Sequence, residues 1–155
     1  MKKYFLLFIL FSFSNLNSQN IFPQKFSGCV TDYFSLESDS LIGKTDIKNF
    51  VKVLISGMDE ETKKYLSGTI SMQIIVDLEG NSCLYSLDNM TPFQVSALNL
   101  KKSIDENIVW EKPSKKISPL IELKFKKKSV LYKRIGFNAK IGRHIIEEYE
   151  IPIVK

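Results

Sequence analysis

The 155 residues hold only one histidine, one tryptophan and two cysteines. With His144 the single imidazole, no Ser-His-Asp or Cys-His arrangement has a choice of base, and the usual two or three imidazoles of a zinc site cannot assemble. The chain has no Gly-rich phosphate loop, no G-x-S-x-G and no C-x-x-C. No enzyme, cofactor or metal site is expected from these residues. Glycine and proline are also scarce, at 7 and 5, which excludes collagen-like and low-complexity chains, and 44% hydrophobic with 25% charged residues excludes disorder. One folded domain is expected.

The chain has little in the way of a membrane span. Lys2 and Lys3 lead into an apolar run from Tyr4 to Phe13, about ten residues and roughly half of the ~20 a spanning helix needs. A basic start, a short apolar run and small residues behind it read as a secretory signal peptide over residues 1–18, cleaved after Ser18. A permanent membrane anchor is the weaker reading, and no cysteine follows the run to carry a lipid. Losing Lys2 and Lys3, and no acid, takes the net charge from +5 to +3 over 137 residues. The expectation is a mildly basic exported protein, periplasmic or extracellular. Its basic residues are not interleaved with stacking aromatics, so nucleic acid is not expected as a partner.

In an oxidising compartment Cys29 and Cys83 either form a disulfide or stay two buried thiols that behave as small hydrophobes. A bond would close a 54-residue loop and add about 4 kcal/mol on the chain-entropy model.

What is present is periodicity. Residues 19–44 carry no sustained period and read as an arm, followed by a single α+β domain over 45–155. Ile47, Phe50, Val51 and Leu54 fall on one helical face, with Thr45 or Asp46 as cap and Gly57 as a left-handed stop. MDEETKKYLSG reads as a polar connector. Ile70, Met72, Ile74, Val76 and Leu78 alternate as a strand, Gly80 turns the chain, and Cys83, Tyr85 and Leu87 are expected on one face of the returning strand. Thr91, Pro92 and Gln94 mark the start of one long helix whose stripe is Phe93, Ala97, Leu100, Ile104 and Ile108. Three further strand candidates follow, ISPLIELKF, SVLYKRI and HIIEEYEIPIV. A period of two interrupted by a capped helix predicts an α+β fold, an antiparallel sheet with a long helix packed on one face.

Over residues 45–126 this order resembles the C-terminal domain of the TonB family. The resemblance rests on GTISMQIIVDLEGNSCLYSL, a Gly, a strand, Asp-x-x-Gly and a second strand, and on IDENIVW running into Trp110, Glu111, Lys112 and Pro113. NFVKVLISGM sits where members carry an amphipathic segment ending near Tyr-Pro, a pair missing here, and the family's membrane helix and Pro-rich linker are missing too. The resemblance implies a protein-interaction module whose partner is a peptide of an outer-membrane transporter or another envelope protein. Two stretches, 117–126 and 144–154, compete for the family's last strand.

His144 reads as a surface histidine, Asp77 and Glu79 as turn acids, and Glu147, Glu148 and Glu150 as a solvated strand face. Trp110 is either a core plug at the end of the helix or part of a peptide groove. Lys126, Lys127 and Lys128 read as guards that keep an edge strand soluble. The partner-binding edge is expected at Ile117, Leu120, Ile121, Leu123 and Phe125 with Trp110, where an extended peptide would add as a further strand. The alternative is a structural or assembly factor of the envelope whose sheet edge is closed and which binds no peptide.

Overall fold

The structure is a computed structural model that describes residues 20–153. The leader read over residues 1–18 lies outside the described residues. The fold is mixed α+β and mostly sheet: β1 (Gln24–Lys25), β2 (Ser35–Leu36), α1 (Ile47–Ser56), α2 (Glu60–Tyr65), β3 (Gly68–Val76), β4 (Ser82–Met90), α3 (Val95–Leu98), α4 (Leu100–Asn107), β5 (Ile117–Ser118), β6 (Leu120–Phe125), β7 (Ser129–Asn138) and β8 (Gly142–Pro152). The eight strands form one sheet in the order β1-β4-β3-β6-β7-β8, with β5 beside β3 and β2 pairing β5. All pairings are antiparallel except β2 with β5.

Alternation in β3 buries Ile70, Met72, Ile74 and Val76 completely under α1 and α4. Each such side chain contributes about 1.5–3 kcal/mol relative to exposure. The opposite face is covered too. Phe22, Leu120 and Ile135 form a second cluster there, with Ile21 and Phe137 packed against it. Gln73, also fully buried, has its polar groups satisfied: its Oε1 accepts from the Ile21 N–H (2.9 Å) and the Ser86 hydroxyl (2.9 Å), and its Nε2 donates to Ser118 Oγ (3.2 Å). The first described residues are thereby pinned across the middle of the sheet. The segment read as an arm supplies β1, β2 and a core residue, Phe22, to the same body as residues 45–153.

Four local expectations are corrected. Gly57 ends α1 but with φ −73°, not left-handed. A Cβ there would lie 2.1 Å from Ser103 Oγ on α4, so a larger residue would require that hydroxyl to turn away. The polar connector holds α2, capped by Asp59, whose carboxylate accepts from the Thr62 N–H at 2.7 Å. The returning strand does not place Cys83, Tyr85 and Leu87 on one face, because the register shifts between Gln73 and Ile74 and leaves Tyr85 without an opposite residue; Leu84 and Leu87 both join the main core. Finally, the long helix is two short ones. Thr91 accepts from the Phe93 N–H in a turn rather than capping a helix, and Asn99 breaks the run at φ 49°. Asparagine tolerates that conformation, and from it the Asn99 side chain donates to the Gly57 carbonyl (3.1 Å), capping α1.

Candidate functional surface at the outer edge of the sheet

The residues expected to form an edge are interior. Ile117, Leu120, Ile121 and Leu123 are fully buried, Phe125 and Trp110 nearly so. β6 pairs with β3 along one side and with β7 along the other, from Leu120↔Ile135 to Phe125↔Val130. The reason is the length of regular alternation after it: β7 and β8 form a long hairpin that adds to β6 and covers it. Lys126–Lys128 do not guard an edge strand; they make the β6–β7 turn, closed by the Lys126 N–H to the Ser129 carbonyl (2.9 Å). Trp110 is a core residue. Its indole N–H donates to Ser82 Oγ (3.0 Å), and Phe50 meets its ring edge-on.

The outer edge of the sheet is β8. The Ile153 N–H bonds to the Lys128 carbonyl, so odd-numbered residues in this half of the strand turn their backbone groups toward β7. Glu148 and Glu150 therefore turn N–H and C=O outward, and Pro152 has no N–H to offer. The register shifts at Ile146, which lies between the paired residues Ile145 and Glu147. Ile145 and Tyr149 stay about half exposed, at 51% and 47%. The acids are tethered: Glu148 to Lys133 (3.6 Å), Glu150 to Lys126 (2.9 Å) and Ser129 Oγ (2.7 Å), which hold the Glu150 carboxyl below its ordinary range.

The opposite edge is short and partly covered. β1 pairs with Ser86 and Leu87, the Phe26 N–H bonds to the Tyr85 carbonyl, and Asp105 on α4 accepts from the Leu84 N–H at 2.7 Å. The Cys29–Cys83 disulfide fastens the amino-terminal segment along this side.

Behind β8 sits a buried charge cluster that sequence reasoning missed. Arg134 donates to both oxygens of Glu37, from Nε (2.6 Å) and Nη2 (2.5 Å), with both side chains out of contact with solvent. The Gly43 N–H donates to the same carboxylate (2.7 Å), Arg134 Nη1 reaches Glu147 on β8 (3.3 Å), and the guanidinium lies over the Trp110 ring at 4.8 Å. Burial pushes the Glu37 carboxyl above its ordinary range against the pull of Arg134. Tyr132 is also buried, its hydroxyl has no hydrogen-bond partner among the described residues, and burial pushes its pKa up. One signal was available in the sequence: Arg134 follows Val130 and Tyr132 at the inward parity of a strand.

The remaining residues fill structural roles. His144 Nε2 lies 2.7 Å from Asp39 Oδ1, a hydrogen bond that raises the histidine and lowers the acid, and Asn138 also donates to Asp39. Asp77 accepts from the Glu79 and Asn81 N–H groups around Gly80, where φ is +86°. Glu79 pairs with Lys112. Among the described residues no three His, Cys, Asp or Glu side chains are grouped so as to hold a metal ion, and no helix is long and apolar enough to cross a membrane. Compared with protein-family models, curated proteins and solved structures, the chain matches none.

Proposed function

We propose that the chain is an exported, non-enzymatic protein-interaction module that takes an extended segment of an envelope partner as an added strand along β8. The observation that carries this reading is the sheet order, in which β8 is a terminal strand of 11 residues with no partner on its outer side among the described residues, while the strand at the other end, β1, is only two residues long. Backbone groups at Glu148 and Glu150 would supply the ladder, Tyr149 and Ile145 apolar contacts, and the acidic residues a preference for basic segments. Export is supported by the leader pattern and the disulfide. The TonB-like reading rests on the sequence order of a strand pair, a helical segment and Trp110.

The test is capture of envelope proteins by the mature chain and by Glu148→Pro, which removes an outward N–H without touching the β7 ladder. A partner held by the native chain and lost by a folded Glu148→Pro supports strand addition. Equal capture by both sinks it. The second reading, an envelope structural factor that binds no peptide, is favoured by the complete pairing of β6 and by the bulge, glutamates and proline of β8, features that discourage strand addition. Failure to capture any partner would favour it.

A further inference from the structure

A groove of about 750 Å³ opens between α2 and the β6–β7 turn. Its walls include Ile55, Leu66, Phe125 and Ile153, all apolar. Lys63, Lys64, Lys126 and Lys127 also line it, against a single acid, Glu60. Glu60 holds Lys63 at 2.7 Å and Glu150 holds Lys126 at 2.9 Å, while Lys64 lies over the Tyr65 ring and Lys127 has no carboxylate partner among the described residues. A lysine beside an apolar groove lays its methylene stem along the wall and keeps its ammonium group in water at the mouth. The result is an apolar slot beneath a cationic rim.

We propose that this groove binds the acyl chain of a free long-chain carboxylate, with the head group held by Lys64 and Lys127. Two properties select this occupant. The volume falls in the 300–1,000 Å³ range of small-ligand sites, whereas a protein partner needs a contact of about 800 Å² on each side. The charge is complementary to an anion, and the apolar walls reward a chain rather than a small inorganic ion. The site does not depend on strand addition at β8, and its test uses no protein partner.

Calorimetric titration of the mature chain with decanoate, dodecanoate and dodecanol, below their aggregation limits, tests the proposal. Expected are saturable 1:1 binding of dodecanoate, a weakening of about tenfold on shortening by two carbons, and weaker binding of dodecanol. The double variant Lys64→Glu with Lys127→Glu, both at exposed positions, should lose on the order of tenfold in dodecanoate affinity while keeping the native circular dichroism spectrum. Equal affinity of the native and charge-reversed chains would overturn the proposal. So would the absence of dodecanoate binding, inorganic phosphate binding as tightly as dodecanoate, or binding only to anionic phosphatidylglycerol vesicles, which would mark a membrane-surface patch instead.

Discussion

Replacing Arg134 by methionine should cost the fold an amount set by pH. In the native chain the Glu37 carboxylate is buried against the guanidinium and the Gly43 N–H. Without Arg134 an ionised Glu37 would be left in the interior with one backbone donor, and it will instead take up a proton. The penalty at pH 7 is then capped by the work of protonation, roughly 2.5 pH units above the ordinary Glu value of 4.5, or about 3.4 kcal/mol at 1.36 kcal/mol per unit. Because the folded-state pKa is raised, the variant's folded state binds the extra proton, so its deficit is small near pH 4.5 and grows as pH rises. Glu37→Gln leaves Arg134 with Glu147 at 3.3 Å as its carboxylate partner among the described residues, and removing one charge of a buried pair costs about 3–5 kcal/mol where native Glu37 is ionised, a cost that shrinks toward pH 4.5 because burial lets native Glu37 hold its proton there. The double variant, with neither charge, should be more stable than either single one, giving a coupling of about 3 kcal/mol. Urea unfolding at pH 7 and pH 4.5 reads all of this; for a domain of this size 3.4 kcal/mol moves the midpoint by about 2 M. Additive costs, or a deficit in Arg134→Met that does not shrink at pH 4.5, would refute the reasoning.

Tyr132→Phe removes a buried hydroxyl with no partner among the described residues, and since such a group costs about 1–3 kcal/mol, the variant should be more stable by about 1 kcal/mol, or about 3–5 °C in melting temperature; a loss of 1 kcal/mol in thermal unfolding would contradict this. Reduction of Cys29–Cys83, which are 54 residues apart, should lower stability by about 4 kcal/mol, and an unchanged urea midpoint after complete reduction would count against it. His144, as the single imidazole, gives one resolvable NMR titration, and its midpoint should lie above 6.5 and fall toward it in Asp39→Asn. The sign follows from the two shifts. The raised His144 contributes stability that is present in full below about 6.5 and lost as pH climbs through its folded value, while the lowered Asp39 contributes above about 3.8 and loses it as pH falls through its own. A midpoint unchanged by Asp39→Asn would disprove the pairing.

Local order was legible where a single period persisted. β3, the turn at Gly80, β7 and β8 follow from alternation and one left-handed glycine, and an α+β sheet follows from their order. The period failed wherever one residue carried a second duty. Asn99 interrupts a helical stripe because its side chain caps another helix, and Tyr85 and Ile146 fall at register shifts that alternation does not announce. The location of the edge was not legible because strand order is decided by long-range pairing: 117–125 has the apolar alternation of an edge or an interior strand alike, and only the β7–β8 hairpin laid beside it makes it interior. Glu37 was hidden in an aperiodic stretch, and its role appears only once Arg134, 97 residues later, is placed opposite it.

That separation bears on when the chain can finish folding. Glu37 waits for Arg134, Asp39 for Asn138 and His144, and Phe22 for Ile135, so the first described residues are completed by the last strands. A polypeptide emerging amino end first carries Glu37 and Asp39 without these partners until β7 and β8 arrive, and closing loops of about a hundred residues is slow compared with forming the β3–β4 hairpin. Glu37 and Asp39 are therefore among the last residues to lock, after Ile21, β1 and Cys29 have found partners on β3 and β4.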